Sequence, residues 1–172
     1  MGKYQGRACA KAILARVRGT VVDDHSEWSR SAATVDRYIP QVVFTDPQVA
    51  SVGLTEKDAK RLGLNTLSID SEMGMVVGAQ LHTDGYVGHA RLVLDNDKNI
   101  IVGATFLGPQ VSELLHSATI AVVSQVPIDH LWHAVPSFPT ISEIWIQLIE
   151  NYDLSKSQVS YSGQDRSSSY VA

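Results

Sequence analysis

Residues 136–145 read Pro-Ser-Phe-Pro-Thr-Ile-Ser-Glu-Ile-Trp, a proline-rich turn that runs directly into an apolar segment. Each proline fixes its backbone φ angle and lacks an N–H, so we expect the turn to be stiff. Thr140 and Glu143 have the spacing of a capping box, in which the two residues satisfy backbone N–H groups at a helix start. The stretch therefore predicts a rigid turn followed by a helix over residues 141–150.

Upstream of this turn, short β-rich segments alternate with turn residues. The clearest pattern is a hairpin, in which residues 90–95 and 99–107 flank the turn sequence Asn96-Asp97-Lys98. Three further strands are predicted, at residues 39–44, 49–54 and 65–70. The glycines between residues 71 and 89 indicate turns around one weak strand.

Helices are predicted before, between and after these strands, at residues 4–17, 56–62, 109–123 and 128–133. The segment from Val111 to Val123 is apolar on most sides, so we expect it to be buried against the sheet and against a second subunit. Strands followed by helices predict an α+β fold, an antiparallel sheet with helices packed on one face.

Changes in composition divide the chain into four parts. Residues 1–19 form a separate helix, residues 20–37 are polar and aperiodic like a linker, and residues 38–152 form the ordered domain. Residues 153–172 contain few aliphatic side chains, which is typical of a disordered tail.

The overall composition restricts the class of protein. A chain of 172 residues with 44% hydrophobic and 19% charged residues fits one globular domain. The net charge of −4 disfavours a nucleic-acid partner, and the single cysteine, Cys9, excludes an internal disulfide. No apolar run is long enough for a membrane span, so we expect no membrane partner and a cytoplasmic location.

Motifs for cofactor and metal binding are missing from the sequence. It contains no Gly-x-Gly-x-x-Gly motif and no cysteine pair, so we expect this chain alone to bind neither FAD nor NAD. His130 and His133 have no third ligand nearby, and we therefore predict no metal site.

Several segments, taken in order, resemble the C-terminal dimerisation (interface) domain of the pyridine nucleotide-disulfide oxidoreductases, such as dihydrolipoamide dehydrogenase, glutathione reductase and mercuric reductase. The resemblance rests on Ile39-Pro40, Phe44-Thr45-Asp46-Pro47, Val49 to Glu56, Ile101 to Pro109, Glu113-Leu114-Leu115 and Pro139-Thr140-Ile141-Ser142-Glu143. Residues 2–7 resemble the last helix of the FAD domain that precedes this domain in the family.

The resemblance implies that the chain is part of an oxidoreductase that uses FAD and NAD(P)H, forms a homodimer through this domain and serves cell redox homeostasis. In this family a His-Pro-Thr-x-x-Glu motif faces the active site of the partner subunit. Its His transfers protons and its Glu orients that His. Here Phe138 replaces the His, Glu143 keeps the Glu position, and His133 is the alternative base.

The resemblance also implies where the partner subunit makes contact. The expected interface residues are Phe138, Pro139, Thr140, Trp145, Leu114 and Leu115. Pro139 and Thr140 would lie near the FAD of the partner.

Other interpretations need no flavin enzyme. Glu143 can serve only as a helix cap, and Phe138 can serve as an apolar plug at a subunit interface. The alternative function is a stand-alone oligomerisation domain of the same fold.

Overall fold

The computed structural model describes residues 2–20 and 38–164, and the side chains of the last helix through residue 157. Helix α1 (Gly2–Val17) belongs to a compact unit separate from the sheet and buries none of its residues. The predicted helix over residues 4–17 is therefore confirmed, whereas its origin in a preceding FAD domain stays a prediction. Residues 21–37, which make up nearly all of the predicted linker, lie outside the described residues.

The second unit is built on a five-stranded antiparallel sheet in the order β1-β2-β5-β4-β3. The strands are β1 (Gln41–Val43), β2 (Gln48–Gly53), β3 (Thr66–Glu72), β4 (His89–Asp95) and β5 (Ile100–Gly108). The predicted hairpin is confirmed as β4 and β5. In its turn, the Asp95 carboxylate accepts hydrogen bonds from the backbone N–H groups of Asp97 and Lys98.

The helices of this unit are α2 (Glu56–Arg61), α3 (Val77–His82), α4 (Leu115–Val123) and α5 (Ile144–Gln164), with 3₁₀ helices at Met73–Met75, Val111–Leu114, Ile128–His133 and Ile141–Glu143. Helix α4 packs on β2 and β5, and α5 packs on β3 and β4, with Leu92, Phe106 and Leu148 fully buried between the layers. The predicted α+β fold is confirmed. None of the described helices has the length and apolar character that crossing a bilayer requires.

The prediction of turns around a weak strand at residues 71–89 was wrong. The structure has a 3₁₀ helix and α3 in this segment, between β3 and β4. Two of its glycines serve close packing, because a Cβ atom at Gly74 would collide with the carbonyl of Tyr86 and one at Gly78 with the backbone of Thr140. Because these contacts involve residues distant in sequence, the local sequence cannot distinguish such packing glycines from glycines in turns.

The predicted tail from residue 153 also needs correction, because α5 continues to Gln164. Tyr152 is buried, and its hydroxyl donates a hydrogen bond of 2.9 Å to Oδ1 of Asn99 in the hairpin turn. Lys156 donates to the same oxygen at 3.0 Å and lies over the Tyr152 ring. The hairpin turn therefore supports the helix where local composition alone would leave it unstable. Residues 165–172 lie outside the described residues.

Candidate functional site

The turn at residues 136–143 is held by its own polar groups. The predicted capping box forms, and the backbone N–H of Thr140 donates to Glu143 Oε1 at 2.9 Å. The Thr140 hydroxyl donates to the carbonyl of Ser137 at 2.7 Å. Ile144, the next residue after the cap, is fully buried. The base of the turn is therefore anchored in the core.

The tip of the turn is apolar and faces outward. Phe138 is 75% exposed, and Pro139 beside it is also exposed. The Phe138 side chain carries no proton that could be transferred, and Oε1 of Glu143 is occupied by the cap. The arrangement therefore supports contact with an apolar surface and supplies no acid or base at the tip.

The other candidate base lies elsewhere on the loop. His133 is exposed at the end of the 3₁₀ helix Ile128–His133, and the hydrogen bond described for the Glu143 carboxylate goes to Thr140, not to this imidazole. The structure therefore does not join His133 and Glu143 into a pair. Within residues 2–20 and 38–164, no group of His, Cys, Asp and Glu side chains could hold a metal ion.

Three of the residues expected at the interface belong to the core of the chain itself. Leu114 and Leu115 are buried where the 3₁₀ helix Val111–Leu114 meets α4. Trp145 is 9% exposed and packs edge-on against Phe106, with ring centroids 6.0 Å apart. Their contact with a partner stays a prediction, and within the single chain most of their surface is already covered.

The helix that we expect to meet a second subunit leaves two apolar residues of α4 exposed, Ile120 and Val123. They are three positions apart and so lie on the same side of the helix, whereas Ala118, Ala121 and Val122 are buried.

An apolar cavity of about 310 Å³ lies between α4 and the turn. Its lining residues are Ser117, Ile120, Ala121, Val126, Leu131, Ala134, Pro136, Ser142 and Trp145. No titratable side chain lines it, so the cavity can provide apolar contact but no acid–base chemistry.

The only charged cluster that the described side chains form around a histidine lies on β3 and β4. Asp70 accepts two hydrogen bonds from Arg91, at 2.7 and 2.8 Å, and a third contact of 2.9 Å joins it to Nε2 of His89. Glu72 lies 3.0 Å from Nδ1 of the same imidazole.

These contacts shift the pKa values of the cluster. The hydrogen bond from Arg91 lowers the pKa of Asp70 below its ordinary value. Burial lowers the pKa of His89, but hydrogen bonds with Glu72 and Asp70 outweigh it and raise that pKa overall. The cluster joins two neighbouring strands and is therefore a stabilising feature of the sheet.

Three glycines at or beside the strands serve close packing of the backbone. A Cβ atom at Gly53, Gly88 or Gly103 would meet backbone atoms of Val102, Leu107 or Leu54. At each of these glycines, backbone atoms of the same chain therefore occupy the space that a side chain would need. Thr140, expected near FAD, has both its N–H and its hydroxyl proton committed within the turn.

Comparison with protein families gives one match that covers most of the chain. The model of the pyridine nucleotide-disulphide oxidoreductase dimerisation domain matches residues 39–149. Dihydrolipoyl dehydrogenase of Haloferax volcanii is 28% identical over 140 residues, which are 81% of this chain and 29% of that protein. Dihydrolipoyl dehydrogenase of Thermus scotoductus is 32% identical over 111 residues, 64% of this chain and 24% of that protein. The chain thus spans less than a third of the length of these relatives.

Solved structures of flavoenzymes share the fold. The HOCl-induced flavoprotein disulfide reductase of Escherichia coli superposes with a TM-score of 0.62 at 22% identity, covering 66% of this chain and 26% of that one. The water-forming NADH oxidase of Lactobacillus brevis gives 0.61 at 21% identity, covering 70% and 28%. At these identities the likeness shows the fold alone.

Proposed function

Since this chain belongs to the pyridine nucleotide-disulphide oxidoreductases, whose dimerisation domain it contains, we propose that it pairs the subunits of a longer FAD- and NAD(P)H-dependent oxidoreductase. In that enzyme it presents the 136–143 turn to the active site of the partner subunit. The chain alone is not catalytic.

The observation that carries this proposal is the exposed Phe138 ring on an anchored turn. The ring is 75% exposed at the tip of a capped, proline-flanked turn. A partner that covers the ring removes apolar surface from water, which favours association. Aromatic side chains are enriched at subunit interfaces for this reason. Ile120 and Val123 of α4 add exposed apolar area to the same unit.

The cofactors belong to the rest of the longer enzyme. When bound there, FAD and NAD(P)H supply hydride and electron transfer. The 136–143 turn of this chain contributes an apolar wall that excludes water. No residue at the tip moves a proton, so any proton transfer in the partner's active site uses other groups.

The change Phe138→Ala tests the proposal. Because the ring is exposed in the single chain, its removal should leave the melting temperature nearly unchanged. If the ring is buried between subunits, the dissociation constant of the dimer should rise by roughly a hundredfold or more, since truncating a buried Phe costs about 3–5 kcal/mol. Sedimentation or light scattering over a dilution series measures both the wild type and the variant.

Val87→Ala provides the matched control, because Val87 is another highly exposed apolar residue and lies away from the turn. It should leave the dissociation constant unchanged. A dimer that is insensitive to Phe138→Ala would show that the turn does not face the partner. A monomer at all concentrations would contradict pairing through this chain.

A further inference from the structure

Helix α3 lies directly against the 136–143 turn at Gly78. A Cβ atom at this position would overlap the carbonyl group of Thr140 and the N of Ile141. The overlap involves backbone atoms, so a side chain there cannot be accommodated by a rotamer change. A glycine inside a helix costs about 1 kcal/mol relative to alanine, and this close approach is what the missing side chain permits.

The segment that carries α3 is fixed to the sheet by Tyr86. The Tyr86 hydroxyl donates a 2.8 Å hydrogen bond to the carbonyl of Pro109, and burial raises the pKa of Tyr86 to about 12. A Cβ atom at Gly88 or Gly108 would collide with the Tyr86 ring, so the ring fills the space that both glycines leave. The position of the segment that carries α3 is therefore fixed relative to the sheet.

Two apolar side chains of α3 remain exposed beside the Gly78 contact. Val77 is 41% and Leu81 is 69% exposed, and they are four positions apart on the same side of the helix. Leu81 is also three positions after Gly78, which places it next to the contact with Thr140. Phe138 is two residues before Thr140 in the same turn and is also exposed.

We infer that Gly78 is the positioning residue of the turn, and that Val77 and Leu81 of α3 form, together with Phe138, one contact surface for the second copy of this chain. The inference rests on the proposed function. Both segments lie inside residues 39–149, which match the dimerisation domain, so this surface belongs to the part of the chain that pairs subunits in the family. An alanine at position 78 would displace the turn from α3 and separate the two halves of the surface.

The first test is Gly78→Ala, with both the dissociation constant of the dimer and the melting temperature measured on the full chain. We expect the dissociation constant to rise at least tenfold. Gly63→Ala is the control for general destabilisation, because Gly63 has a φ of +77° and no atom near the new Cβ. It should lower the melting temperature through backbone strain while leaving the dissociation constant of the folded chain unchanged.

The second test, Leu81→Glu, does not depend on the fold tolerating a change at Gly78. Leu81 is exposed, so a glutamate there leaves the monomer intact, but an interface would have to bury its charge. We expect a rise of about tenfold or more in the dissociation constant, equivalent to about 1.4 kcal/mol. Val87→Glu, in the same segment but on a cavity with Asp46 and Asp84, should have no such effect.

The outcomes separate this inference from the proposed function. If Phe138→Ala weakens the dimer while Leu81→Glu leaves the dissociation constant unchanged, the turn faces the partner but α3 does not. In that case the inference is overturned and the proposed function stands. If Leu81→Glu weakens the dimer but Gly78→Ala does not, the positioning role of Gly78 is overturned. A wild-type chain that remains monomeric would overturn both the inference and the proposed function.

Discussion

The fold favours the protonated state of His89. Its ring contacts Asp70 and Glu72, each through one nitrogen, while Arg91 also faces Asp70, and Asp46 and Asp84 line the adjoining cavity. Two carboxylates thus contact a single imidazole, one at each ring nitrogen. The surrounding charge favours the protonated ring.

The raised pKa of His89 gives a pH dependence of known sign. A folded-state pKa above the ordinary value of 6.5 means that the stabilisation is fully present below about pH 6.5 and is lost as pH rises through the folded value. The lowered pKa of Asp70 stabilises the fold at pH values above the ordinary pKa of this carboxyl group. This stabilisation is lost as the pH falls through the lowered pKa. We expect the free energy of unfolding to be highest between roughly pH 4 and 6.5.

Chemical denaturation of the wild type and His89→Gln at several pH values measures this effect. The difference between them should be at most about 1 kcal/mol, because the pairs are partly exposed, and should shrink above neutrality. His130→Gln, at another exposed histidine, is the control. A difference that grows with rising pH would contradict the assignment of the ion pairs to His89.

At the scale of elements, sequence predicts what is local. The β4–β5 hairpin follows from its Asn/Asp turn, and the cap of the last helical segment follows from Thr140 and Glu143, because each pattern needs only neighbouring residues. Helix α3 and the far half of α5 could not be predicted, because Gly78 packs on Thr140 and Tyr152 bonds to Asn99. Those partners are distant in sequence, and nothing in the local pattern indicates them.

The candidate site shows the same division. The stiff turn and its cap were predictable, whereas the burial of Leu114, Leu115 and Trp145 depends on which face of each helix meets the sheet. The resemblance identified the domain, but it does not indicate whether each of these side chains faces the core or the outside of the chain.

The anchoring of α5 can be measured through Tyr152. Replacing this buried residue by alanine should destabilise the fold by about 3 kcal/mol or more, as large aromatic truncations do. Leu154→Ala, on the exposed side of the same helix, should change stability by less than about 0.5 kcal/mol. If thermal or urea unfolding showed equal effects, α5 would not be docked through Tyr152.

Deletion of the end of α5 should have a smaller effect. The contacts described for Lys156 are one with Asn99 in the hairpin turn and one with the Tyr152 ring of its own helix, and Lys156 is exposed. A chain that ends at Leu154 should therefore lose no more than about 1 kcal/mol of stability. A larger drop in the unfolding free energy would mean that residues beyond 154 make further contacts with the sheet.

At the scale of the whole molecule, we expect the purified chain to dimerise and to contain no bound flavin. The purified chain should form a two-fold dimer with an interface of roughly 1,600 Å², the size typical of specific complexes. Its visible spectrum should show no flavin band, because no dinucleotide-binding motif occurs in the sequence. A stoichiometric flavin signal after purification would place cofactor binding in this chain and would require a different account of its glycines.

The strand order also determines when the pieces of the domain can assemble. Strands β4 and β5 meet across a tight turn, whereas β2 pairs Gln48 with Gly108 and Gly53 with Gly103, about 50 to 60 residues away in sequence. Closing so long a loop costs chain entropy before any contact is gained, so refolding should begin at the hairpin and add β2 late. Pulse-labelling hydrogen exchange during refolding should therefore show the amides of residues 90–107 protected before those of residues 48–53. A newly made chain would then pass through a stage in which the β4–β5 hairpin has formed but β2 has not yet joined the sheet.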